Sequence, residues 1–355
     1  MKLTFRQRAI TGLLTVIPTN ERSFVDEMAN FNFPAKRSLK LKEVMGYDKH
    51  RIVDGPVCVS DLAVAGMEHL FANMLLDRDG FDALIVVTQS PDYIMPPTSN
   101  VIQGRLGLKQ DLLCMDINQG CAGFLIGLMQ GFLLLDQPSV ERVVLINGDV
   151  LSRKVSTKDR NSYPLIGDAA SIAILERTND ATPIHMNLKM DGSRRDALQI
   201  PAGGMRLPAS PETAAMSEDA DGNLRSQDHL VMDGSAVFNF VQVEVPPMIE
   251  EILRTANKKM EDVDVFLFHQ PNRFMLEKLA SRMGVQRDKM PTNVVEHFGN
   301  SSGVTIPIAL AFNLREKITS VGLYTCLSGF GVGLTWSSML MHLGPMQFCE
   351  MLAFR

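Results

Sequence analysis

Apolar residues fall in short, nearly unbroken runs separated by longer stretches of mixed character. DALIVVT (82–88), LLCMDIN (112–118), RVVLING (142–148), SIAILER (171–177), DVFLFH (264–269) and VGLYTCL (321–327) are of strand length. Runs without polar alternation suit strands covered on both faces. Helical periodicity occupies 60–76, 121–136, 235–259, 272–283 and 303–316. The opening MKLTFRQRAITGLLTVIP, basic and then mildly apolar, reads as a first strand. Strands alternating with helices predict an α/β layered fold.

The pattern also repeats. DALIVVTQSPDYIMPPTSNVIQGRLGL resembles DVFLFHQPNRFMLEKLASRMGV: a strand, a turn with Gln and Pro, a helix, a Gly-containing end. A second strand-like run and a small-residue turn opening a helix follow each, NQGCAGFLIGL in one and GNSSGVTIPIAL in the other. LIGDAASIAILER then parallels GFGVGLTWSSMLM. The expected organisation is two duplicated halves, 1–180 and 181–355. Residues 201–229, rich in Pro, Gly, Ser, Ala and acid, read as a surface insertion in the second half. If a pseudo-twofold axis relates the halves, Cys121 of one turn approaches Asn300 of the other. His269 then occupies the place of Thr88.

Composition narrows the class. The 355 residues, 45% hydrophobic and 21% charged, suit a globular protein with a sizeable core. A net charge of −5 carries no basic excess for nucleic acid. Five scattered cysteines without a C-x-x-C pair argue against a disulfide framework or a zinc site and for a reducing compartment. The most apolar segment, residues 121–135, contains Gln130 and is short for a membrane span. A cytoplasmic protein with no membrane or nucleic-acid partner is the expectation.

Cys121 sits where a strand passes into an apolar helix. Helix N-terminal N–H groups favour a thiolate, and its own N–H is a candidate oxyanion donor. An inert buried thiol fits the position equally well. His269 closes a buried strand, where α/β folds place site residues, and its ring can donate a hydrogen bond or exchange protons. His297 competes with it, standing close to Asn300. Asn300 is either a helix N-cap or an amide donor beside His269. GFGVGL (329–334) does not fit the dinucleotide G-x-G-x-x-G pattern and reads as a tight turn presenting a backbone N–H.

INQGCAGFLIGL, LFHQPN, HFGNSSGVTIPIAL and GFGVGLTW, in this order, resemble the β-ketoacyl-acyl-carrier-protein synthase III family of the thiolase superfamily. The resemblance implies a five-layered αβαβα thiolase fold, a homodimer, and a catalytic trio of Cys121, His269 and Asn300. It implies acyl loading on Cys121 from a thioester, with the N–H groups of Cys121 and Val332 as oxyanion hole. Decarboxylative condensation with malonyl-acyl carrier protein would follow, His269 and Asn300 holding the thioester carbonyl. Phe330 would screen the malonyl carboxylate from water, and Met95 would reach the partner subunit's acyl pocket. Arg160, Asn272 and Arg282 match positions that bind the thioester or its carrier. The expected partners are acyl carrier protein and a CoA thioester, with no permanently bound cofactor and no metal.

Several positions depart from the family. KRSLKLKEVMGYDKHR contains no Trp to hold a CoA nucleotide, which leaves CoA or carrier protein open as acyl donor. Val332 replaces a frequent Gly, and Ser281 replaces a frequent basic residue beside Arg282. The tail GPMQFCEMLAFR reads as apolar enough to pack on a dimer or cover an opening. Two other functions fit the same residues: acyl transfer from Cys121 to a hydroxyl or amine, and a non-catalytic subunit of a heterodimeric synthase.

Overall fold

The computed structural model describes residues 1–355. Its principal strands are β1 (Lys2–Phe5), β2 (Arg8–Pro18), β3 (Ala83–Val87), β4 (Leu113–Ile117), β5 (Arg142–Asp149), β6 (Ala169–Arg177), β7 (Ile184–Met190), β8 (Val265–Phe268), β9 (Leu323–Gly331), β10 (Thr335–Leu343) and β11 (Phe348–Phe354). Its principal helices are α1 (Val59–Ala72), α2 (Thr98–Leu106), α3 (Gly123–Leu134), α4 (Gly234–Thr255), α5 (Arg273–Met283) and α6 (Thr305–Ser320).

Apolar runs mean two buried faces, and period two assigns them. Ala83, Ile85 and Val87 face one core, whereas Leu84 and Val86 face another. Val265 and Leu267 join the first core, while Phe266 and Phe268 enter a third. The shared core holds α3 and α6 between the two sheets. The second core packs α1 and α2 on one outer face, and the third packs α4 and α5 on the other. Five layers result, αβαβα, as expected.

The sheets repeat each other. One runs β11-β2-β6-β5-β3-β4 and the other β1-β7-β10-β9-β8. β2-β6-β5-β3 pair antiparallel, antiparallel and parallel, and β7-β10-β9-β8 do the same. The termini are exchanged, because β1 joins the second sheet and β11 the first.

Three expectations change. The opening segment forms two strands, broken at Gln7 with φ of 59°. No strand lies between α5 and α6; Val294–Phe298 is a short helix instead, so the second sheet lacks a counterpart of β4. The C-terminal tail takes strand form within its own chain. It is an edge strand parallel to β2, running from Phe348 opposite Gly12 to Phe354 opposite Pro18. The insertion is anchored as well. Arg225 pairs with the buried Asp159 at 3.0 Å and with Asp219 at 2.6 Å, and Ser156 Oγ donates to the Leu224 carbonyl.

Candidate active site

Cys121 stands just before α3, with Ala122 at the N-cap position. The Gly123 N–H donates to the Gly120 carbonyl at 2.6 Å and closes the turn. Small residues let the surroundings close in. A Cβ on Gly120 would collide with the Gln89 carboxamide, and one on Gly331 would stand 2.6 Å from Cys121 Sγ. The turn between β9 and β10 therefore lies against the thiol, and the N–H groups of Val332 and Cys121 donate toward Sγ. Burial outweighs those donors and pushes the thiol up to about 11, with the Asp149 carboxylate adding to the rise. The helix terminus thus does not yield the thiolate expected from position alone.

His269 follows β8, its N–H bonded to the Ser328 carbonyl at 2.8 Å. Nδ1 lies 3.1 Å from the Ser302 carbonyl and 2.8 Å from Thr305 Oγ. Burial pushes its pKa down to about 3, so the ring is neutral. With the proton on Nδ1, the ring donates to the Ser302 carbonyl and Nε2 is an acceptor. With the proton on Nε2, the Thr305 hydroxyl must turn from the Ser302 carbonyl, 2.9 Å away, and donate to Nδ1. Thr305 therefore governs what the free Nε2 edge of His269 can do.

Asn300 is held by backbone from the other half. Its N–H donates to the Leu165 carbonyl at 2.6 Å, and Gly167 N–H donates to its carbonyl at 3.1 Å. Its Oδ1 accepts from Ser302 N–H at 2.9 Å, which leaves the amide NH2 for a ligand. It does not cap α6, whose N-cap is Val304. His297 packs against Phe312, ring centroids 5.2 Å apart, and lines neither cavity described below.

Two cavities share Cys121 and Asn300. One, of about 440 Å³, is also lined by His269, Asn272, Met275 and Phe330. The other, of about 450 Å³, is lined by Gln89, Leu198, Gly203, Ser302 and Val332, so the start of the insertion forms one of its walls. Phe330 stands edge-on to the His269 ring at 5.7 Å.

The remaining expected residues lie further out. Asn272 Oδ1 caps α5 through Met275 N–H at 2.8 Å. Arg160 stacks on Phe33 at 4.2 Å, donates to the Asp221 carbonyl at 3.1 Å, and lines neither cavity. Arg282 lies exposed in the last turn of α5. Met95 is 82% exposed, on a loop away from both cavities of its own chain.

Ser302, Thr305 and Asp149 were not singled out from sequence. Asp149 did carry a signal, an acid closing the largely apolar run RVVLINGD, and the fold buries it fully. Ser302 and Thr305 sit among ordinary small residues, and only the fold shows what they touch.

The layers and their repeated sheets define a thiolase-type fold, and the comparisons narrow the class. Residues 115–192 match the family model described as 3-oxoacyl-(acyl-carrier-protein) synthase III, and residues 253–343 match its C-terminal counterpart. A putative 3-oxoacyl-(acyl-carrier-protein) synthase 3 of Campylobacter jejuni is 32% identical over 343 residues, 96% of each chain. A β-ketoacyl-(acyl-carrier-protein) synthase III of Clostridium perfringens is 33% identical over 285 residues, 80% of this chain and 84% of its own. The crystal structure of a 3-oxoacyl-(acyl-carrier protein) synthase from Burkholderia xenovorans superposes with a TM-score of 0.92 at 30% identity, covering 100% of this chain and 99% of that one. The chain belongs to the β-ketoacyl-acyl-carrier-protein synthase III family of the thiolase superfamily. It is an acyl-transferring condensing enzyme, and no helix in it is long and apolar enough to cross a membrane.

Proposed function

We propose that Cys121 accepts an acyl group from a CoA or carrier-protein thioester and passes it to a carbanion made from malonyl-acyl carrier protein. The observation that carries this is the meeting of Cys121, His269 and Asn300 where two cavities join. Sγ bonds to the acyl carbon, the donor's C–S bond breaks, and the N–H groups of Cys121 and Val332 hold the oxyanion. The malonyl thioester then enters through the cavity of His269 and Asn272. Loss of CO₂ leaves its electron pair as an enolate, held by the Asn300 amide and by His269 in the Nε2–H form that Thr305 permits. The enolate carbon attacks the acyl carbonyl, Cys121 Sγ departs, and a β-ketoacyl thioester forms. The buried ring of Phe330 beside His269 keeps water from the carboxylate.

Arg282 on the exposed face of α5 supplies a positive contact for an acidic carrier protein. Arg160 is engaged by Phe33 and Asp221, so a CoA nucleotide would have to draw it away. The exposed run Tyr93, Ile94 and Met95 suits a homodimer in which Met95 enters the partner's acyl cavity. No permanent cofactor is required, and the reducing cytoplasm suits five free cysteines.

Intact-mass spectrometry with panels of acyl-CoA and acyl carrier protein tests this reading. An acyl adduct present in the wild type and absent from Cys121→Ala is expected. His269→Ala and Asn300→Ala should slow loss of CO₂ from malonyl carrier protein by about 10²-fold or more while sparing acylation. Equal loss in both half-reactions, or acyl transfer to an alcohol with malonyl thioester unchanged, would overturn it.

A further inference from the structure

The acylation half-reaction lacks a base. The Cys121 thiol is protonated at neutral pH, and His269 is a weak acceptor whose Nδ1 edge is taken by Ser302 and Thr305. Beneath the thiol lies a carboxylate the mechanism has not used. Asp149 is fully buried at the end of β5, and its Oδ1 takes three donors: Gln89 N–H at 2.7 Å, Thr88 Oγ at 3.2 Å and Ser90 Oγ at 3.3 Å. Its Oδ2 has no partner, and neither has the hydroxyl of buried Ser302. Two orphaned buried polar atoms beside a nucleophile call for a function.

Ser302 joins these groups. Its hydroxyl lies beside both Cys121 and Asp149 and lowers the pKa of each, without completing an aligned hydrogen bond to either. Its N–H donates to Asn300 Oδ1, its carbonyl accepts from Thr305 Oγ, and His269 Nδ1 lies 3.1 Å from that carbonyl. It does this at φ of 58°, uncommon for a residue other than glycine. Gly303 fits the same packing, since a Cβ there would stand 2.5 Å from Asn147 Oδ1.

Resting on Cys121 as the acyl carrier, we propose that Ser302 and Asp149 form a buried relay that takes the Cys121 proton during acylation and returns it to the departing thiol. As Sγ bonds to the acyl carbon, its proton passes to Ser302 Oγ while the Ser302 proton passes to Asp149 Oδ2. When the donor's C–S bond breaks, the leaving sulfur receives a proton by the reverse route. No net proton and no outside reactant are needed. Ser302 lines the cavity shared with Cys121, so the leaving sulfur is within its compartment. Cys121 is the titratable group facing Asp149; Thr88, Gln89, Ser90 and Ser302 around it are neutral. Asp149, pushed up to about 6 by burial, is a base matched to neutral pH.

The test uses Asp149→Asn and Ser302→Gly, the second of which accepts the positive φ without strain. Acylation is followed by rapid-quench mass spectrometry with the panel donor that labels the wild type fastest. In parallel, Cys121 is alkylated with iodoacetamide, which needs only thiolate. Acylation should fall about 10²-fold in both variants, and the wild-type loss of rate below about pH 6 should vanish in Asp149→Asn. Alkylation of Asp149→Asn should hold or rise, because the charge opposing the thiolate is gone. Acylation within about 3-fold of wild type, a parallel fall in alkylation, or a retained acid limb would overturn the relay. A wild type that takes no acyl group, or a Cys121→Ala that still does, would instead overturn Cys121 as carrier.

Discussion

His269 and Asp149 are both buried, yet burial drives their protonation in opposite senses, and the stability of the fold records it. His269 falls from an ordinary value of 6.5 to about 3, so between those values the unfolded chain binds a proton that the folded chain refuses. Its contribution is intact above about pH 6.5 and drains as pH falls toward 3. Asp149, raised from 3.8 to about 6, has the other sign: folding with it ionised is unfavourable at pH 7, and stability returns as pH falls through 6. The two slopes partly cancel in the wild type. Removing the imidazole isolates one of them, so His269→Asn should lose less stability than wild type between pH 7.5 and 5. Urea unfolding at the two pH values checks this, and an equal loss in both proteins would place a charged imidazole in the folded state. The meeting of Cys121, His269 and Asn300 in one cavity was legible in sequence because each stands at a strand end or helix-opening turn with a motif around it. Their ionisation was not legible, because desolvation depends on neighbours from both halves of the chain.

Elements with two apolar faces announced themselves, and those with one did not. β3, β5 and β8 carry no polar alternation, and sequence placed them within a residue or two. β11 follows Pro345 and mixes Glu350 with apolar residues, so its strand character depends on a partner it finds only in the fold, β2. That pairing has a specific requirement. A Cβ on Gly12 would collide with the Phe348 ring across the ladder, so a glycine in the middle of β2 makes room for the aromatic that anchors β11. Gly12→Ala should therefore cost about 1–3 kcal/mol through overpacking, and Phe348→Leu in the same chain should recover part of it. A double-mutant cycle by urea denaturation reads the coupling, and additive losses would mean that β11 docks by its backbone alone. The insertion shows the converse. Its composition signalled a loop, but its anchoring rests on Arg225 reaching the buried Asp159, a contact between segments far apart in sequence.

At the scale of the whole molecule the position of Asn300 depends on one close seam among the contacts between the two halves. Cys121, Val332 and their cavity do not by themselves place an amide opposite the thiol; that depends on Gly167 and Gly299. Ile166 forms an isolated β-bridge with Asn300 across this seam, while His50 Nδ1 lies 2.6 Å from the Ile166 carbonyl. A Cβ on Gly167 would drive into the Phe298 carbonyl, and Gly299 holds φ of 77° with its own Cβ position 2.8 Å from Gly167 N. Two backbones thus approach as closely as glycine permits, and Asn300 inherits its position from that approach. Widening the seam should therefore separate the half-reactions. In Gly167→Ala the turn at Cys121, built from α3 and the β9–β10 turn, is untouched, so iodoacetamide should still label Cys121 at near the wild-type rate. The Asn300 amide moves off the thioester carbonyl, and loss of CO₂ from malonyl carrier protein should fall by about 10²-fold. A proportional fall in labelling would show the seam to be a general support of the fold. Full decarboxylation would show that Asn300 finds its place without the glycine pair.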